Sequence, residues 1–155
     1  VINAGHRCYA LRDEQRYPGP LGYRRNQERV WDALTAEEFA TDFVAIMGRR
    51  RTSTTAIRFN ESGDFRSQSD VDKAAEIARL LKPRGVTVYC YTARRDLDFS
   101  AASPMVVNGS GFRVHGEFRF IHTKAERPKN YGLCQGSCGE CGRCIRGALT
   151  CVLPH

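Results

Sequence analysis

One stretch near the end of the sequence constrains it most. Cys134-Gln135-Gly136-Ser137-Cys138-Gly139-Glu140-Cys141-Gly142-Arg143-Cys144 places four thiols at C-x3-C-x2-C-x2-C spacing, with a glycine in every gap. A segment this rich in thiols and glycines adds little to a hydrophobic core, and its glycines resist a regular helix or strand. It orders by closing around something that binds thiolate, which leaves an iron–sulfur cluster, a zinc ion or disulfides. A tetrahedral zinc is usually held by two short ligand pairs with a long spacer between them, and no such spacer divides these four. A cluster presents several iron corners, so a compact run suits it better, and a 4Fe-4S cluster is the first expectation. Gly136, Gly139 and Gly142 would let backbone N–H groups approach the sulfides, while Arg143 and Arg146 would offset the anionic charge. Zinc remains the alternative metal.

The composition agrees with this picture. Seven cysteines, four of them in one loop, are not the even, dispersed pattern of a secreted disulfide scaffold. No stretch approaches the ~18–20 apolar residues of a membrane span, and no charged-then-apolar leader is evident. A cytoplasmic protein with no membrane partner is expected. The net charge of +7 favours nucleic acid or another polyanion, or serves solubility alone.

A length of 155 residues suits one domain. Residues 1–53 form a helical and loop part, 54–126 a βα core, and 127–155 the cysteine-rich tail. Residues 1–24 read as irregular, broken by Gly5, Pro18, Gly19, Pro20 and Gly22. A short helix follows over 26–34. Thr35 with Glu38 spells a capping box before a second helix, with Phe39, Phe43 and Ile46 or Met47 on one face. Strands are expected over 54–59, 86–92 and 104–107, with later ones near 113–114 and 118–122. Ser69 is placed as the cap of a helix running to Leu81. The alternation predicts an α/β fold, a small and mostly parallel sheet resembling part of a βα-barrel.

In parallel sheets ligands gather beyond the carboxyl ends of the strands. That rim would hold Glu61, Ser62, Gly63 and Asp64 after one strand, Asn108 and Ser110 after another, and His122 after a later one. Glu61, Asp64 and His122 are the candidate catalytic groups. Ser62, Gly63, Asp64, Asn108 and Ser110 are the candidate ligand-binding groups. Each has a plain structural role open to it, since Ser62 or Asp64 can simply complete a turn. Hydrolase, zinc-protease and complete dinucleotide-binding motifs are absent from the sequence.

Several short motifs combine: Cys8-Tyr9-Ala10, Tyr17-Pro18, Arg25-Asn26, Ile57-Arg58-Phe59, Ser62-Gly63-Asp64-Phe65, Tyr91-Thr92-Ala93-Arg94 and the cysteine-rich end. Together they resemble the phage "gene product eighty-eight" family, itself distantly similar to barrel proteins of the radical S-adenosylmethionine (SAM) type. Cys134, Cys138 and Cys141 have the ligand spacing of those enzymes. On that resemblance Ser62-Gly63-Asp64 would stand near the SAM amino group, and SAM joins the expected cofactors. Cys8 could replace one of the four cluster ligands. Two functions follow as expectations. One is an iron–sulfur protein with redox or radical chemistry at the strand ends. The other is a non-enzymatic zinc- or cluster-stabilised protein that binds nucleic acid or a host factor.

Overall fold

The computed structural model describes residues 9–51 and 53–153. Two helices open it, α1 (Tyr9–Arg16) and α2 (Gly19–Ala33), where an irregular segment was expected. Pro18 and Pro20 do not break α2; they start it. Pro20 lies in the first turn, where a missing N–H costs no intrahelical bond. Arg24 ties the two helices together through Glu14 at 2.7 Å. Helix α3 (Ala36–Gly48) begins with the expected capping box, in which Glu38 N–H donates to Thr35 Oγ1 and Thr35 N–H to Glu38 Oε2. Phe39, Phe43 and Met47 pack toward the core, whereas Ile46 faces outward.

The sheet has six strands, all pairs parallel, in the order β1-β2-β3-β4-β6-β5. These are β1 (Ala56–Phe59), β2 (Thr87–Thr92), β3 (Val106–Ser110), β4 (Gly116–Phe120), β5 (Gly132–Leu133) and β6 (Thr150–Val152). In this order β1 and β5 stand at the two edges of the sheet. Helix α4 (Gln68–Leu81) crosses between β1 and β2. It starts one residue before the expected Ser69, and Ser69 Oγ meets Ser67 Oγ at 2.8 Å instead of capping. Its Val71, Ala74, Ile77, Ala78 and Leu81 are buried with Val88, Cys90 and Val107 on one face of the sheet. Tyr89 and Tyr91 therefore point to the other face.

Aromatic and ionic contacts fasten the helices to the sheet. Trp31, Phe39 and Phe59 meet edge-to-face with ring centroids 5.6–6.0 Å apart. Trp31 Nε1 donates to Asp70 Oδ1 at 2.8 Å, and Arg66 grips the other oxygen at 3.0 Å. Lys73 donates to the Trp31 and Leu34 carbonyls at the end of α2, where positive charge complements the helix dipole. No helix among the described residues is long and apolar enough to cross a membrane.

Two connections depart from expectation. Asn108 and Ser110 belong to β3, not to a loop after it, because the strand runs 106–110. Residues 111–115 then return the chain to a parallel neighbour, far fewer than the dozen or so such a link usually needs. The link folds back directly over Gly109, where a Cβ would stand 2.2 Å from the Phe112 carbonyl oxygen. The predicted strand near 113–114 is this return.

Two outcomes follow. Gly109→Ala should cost about 1–3 kcal/mol by overpacking, read from urea denaturation, and an unchanged midpoint would reject the close approach. The Arg66 guanidinium, helped by the Trp31 N–H against the effect of burial, holds the Asp70 carboxyl at about 2. A folded value below the unfolded one means this stabilisation is present above about pH 4 and is lost as pH falls toward 2. Because Arg66 is half exposed, the acid loss should be ~1–2 kcal/mol. It should be missing from the pH profile of Asp70→Asn.

Candidate functional site

The tail expected to be a loop contains two strands, and Cys134, Cys138, Cys141 and Cys144 lie between them. Residues 134–149 are the crossover from β5 back to β6. They hold one short helical turn, α5 (Cys138–Cys141), and a 3-10 turn over Cys144–Arg146. The crossover lies on the face opposite α4. Register places Tyr91 beside Asn108, Asn108 beside Gly116, and Phe118 beside Thr150, so these residues share that face. Tyr91 meets Phe118 edge-to-face at 5.0 Å, and Arg58 sits 4.7 Å over the Tyr91 ring.

Two residues seat the crossover on the sheet. Asn108, fully buried, donates through Nδ2 to the Cys144 carbonyl at 3.0 Å and the Cys90 carbonyl at 3.2 Å. Gly116 leaves room for Gly147, because a Cβ there would lie 2.7 Å from the Gly147 carbonyl carbon. Between this segment and the sheet opens a pocket lined by Cys134, Cys138, Cys141 and Cys144, with Tyr89, Tyr91, Arg143 and Thr150. The sequence-predicted thiols are thus brought together.

They ring the pocket without converging on a point. Among the described residues, no group of three or more His, Cys, Asp or Glu side chains is placed to hold one metal ion. The expected metal loop is not formed in that sense: Cys138 is exposed while Cys144 lies partly under the sheet-side aromatics. Cys8 lies outside the described residues. Burial pushes the Cys144 thiol up, opposed by hydrogen bonds with the Tyr91 hydroxyl and Thr150. Burial likewise pushes Tyr91 well up, reinforced by its bond to Cys144. Tyr89 rises through burial and the nearby Cys138. Cys90 and Cys151 are buried away from the pocket, and burial, with Asp64 adding to it, pushes Cys90 up to about 12.

The rim residues have other work. Asp64 accepts from Thr92 Oγ1 at 2.8 Å and from the Ala93 and Phe65 N–H groups at 2.6 and 2.8 Å. It locks the end of β1 to the end of β2, which is the plain reading of that turn. Ser62 and Gly63 lie in the same turn, and Arg58 reaches the Glu61 carbonyl at 3.4 Å. His122 is exposed, edge-to-face with Phe120. None of Glu61, Ser62, Gly63, Asp64, Ser110 or His122 lines the thiol pocket. Arg95 donates to the Gly111 carbonyl at 3.0 Å, so the ends of β2 and β3 do meet, as a braced edge. Missed in the sequence were Tyr89, Tyr91, Asn108 and Thr150 as partners of the cysteines. The signal was the tyrosine pair alternating against Val88 and Cys90, which left one apolar face without a cover.

Gly116→Ala should push residues 144–147 off the sheet and speed alkylation of Cys144 severalfold, followed by mass spectrometry of the labelled peptide. Wild-type labelling would refute this seating.

Residues 4–131 match the profile of a family described as Gene product 88. The matched segment ends before Cys134. No curated protein and no solved structure matches the chain, so the likeness to radical-SAM barrels gains no support.

Proposed function

The chain belongs to the Gene product 88 family, and we propose that it is an iron–sulfur protein whose cluster sits between the sheet and the β5–β6 crossover. The observation that carries this reading is the pocket lined by Cys134, Cys138, Cys141 and Cys144. The donor chemistry fits. Thiolates are the ligands iron–sulfur clusters take, and four around a shared space suit a many-cornered object better than a single tetrahedral ion.

When bound, such a cluster supplies one-electron redox chemistry. The residues around it have definable roles. Asn108 fixes the Cys144 backbone, the Tyr91 hydroxyl engages the Cys144 sulfur, and Tyr89 and Tyr91 wall the sheet side, with Phe118 packed against Tyr91. Four cysteines would leave no iron open to a substrate. The reading is therefore electron transfer or structural support, and radical chemistry on SAM would need one thiol to stand aside.

Anaerobic purification should give a brown chain with iron and sulfide in matched, cluster-level amounts. Cys141→Ala and Cys144→Ala should each lose most of the iron, while Cys151→Ala, on the opposite face, should keep it. A colourless wild type that carries zinc sinks the reading.

A further inference from the structure

The thiol pocket has a charged side chain in its wall that is only partly engaged. Arg143 lines the pocket beside Cys141 and Cys144. Its Nη2 donates to the Leu149 carbonyl at 2.8 Å, which anchors one side of the guanidinium. Its Nε is buried and has no hydrogen-bond partner among the described residues. Buried donors are almost always paired, so an unpaired one on a side chain that lines a pocket asks for an acceptor.

The position of this cation is enforced by a residue without a side chain. A Cβ at Gly132 would come within 2.1 Å of Arg143 Cζ and 2.4 Å of Nε, so the guanidinium rests flat on the β5 backbone. Arg146 offers a contrast. It is exposed, donates to the Cys141 carbonyl at 3.1 Å, and is not part of the pocket wall. The sequence alone gave both arginines the same task; the structure separates them.

We propose that Arg143, seated on Gly132, is the built-in counter-cation and hydrogen-bond donor for an anionic group held among the four cysteines, and that it sets that group's reduction potential. The inference rests on the iron–sulfur reading. Reduction adds a negative charge to a centre that is already anionic, and both a fixed positive charge and N–H donation favour the reduced form. Arginine suits the task because it stays protonated and its planar fork can hold the Leu149 carbonyl and still present a second donor. Arg143 acts on the group by its charge and its N–H donors without being one of its ligands, and is a tuning residue.

The test is a redox titration of the reconstituted wild type beside Arg143→Gln, Arg143→Lys and Arg146→Gln, with iron content measured on each. Arg143→Gln should favour the oxidised form at least tenfold, a negative shift of about 59 mV for one electron. Arg143→Lys keeps the charge, loses the Nε donor, and should shift less in the same direction. Arg146→Gln should match the wild type. Equal potentials for the Arg143 and Arg146 variants overturn the inference and leave the iron–sulfur reading standing. Should Arg143→Gln hold no iron, Arg143→Lys decides: a negative shift supports the assignment and a wild-type potential ends it. A wild type that binds no iron overturns both.

Discussion

A sheet built only from parallel strands must be covered on both faces, and each link between its strands has to cross one face or the other. The handedness of such crossovers then decides which face is covered. From β1 to β2 the chain advances across the sheet and lays α4 on one side. From β5 to β6 it steps backwards, because β6 lies between β4 and β5. A crossover of the same hand that runs in the opposite direction falls on the opposite side. That is where residues 134–149 lie, over Tyr89 and Tyr91.

The cysteine-rich segment thus occupies the place that a helix takes in most sheets of this kind. It is poor in apolar residues and cannot hold that place by hydrophobic contact alone. Asn108 supplies hydrogen bonds in compensation, and Gly116 and Gly132 supply closeness. The thiols are consequently pressed toward an aromatic wall, and the wall belongs to β2, the strand at the centre of the hydrophobic core. Any group held by those thiols would be supported by the best-packed part of the molecule.

The parts of the fold that were legible in the sequence were those with strong periodicity or local chemistry. The capping box at Thr35, the buried stripe of α4 and the two-sided character of β2 all appear as the pattern requires. The misread parts were those where a local signal had a long-range use. Prolines at 18 and 20 look like breakers until a helix begins among them. Asn108-Gly109-Ser110 reads as a turn, yet it is strand, because Gly109 is needed for the close return of residues 111–115. The two-residue β5 and three-residue β6 carry too little pattern to be seen. Without them the cysteines read as a loop-like tail, and the strand-end candidates were placed apart from it; there Asp64 braces the turns.

The strand order has a consequence for assembly of the chain. Among the described strands β5 pairs with β6 alone, and β6 begins seventeen residues after β5 ends. A growing polypeptide can therefore join β1 to β4 early, but Gly132 and Leu133 have no neighbour until Thr150–Val152 emerge and slide between them and β4. Pairing of β6 with β5 closes residues 134–149 over the sheet face that carries Tyr89 and Tyr91.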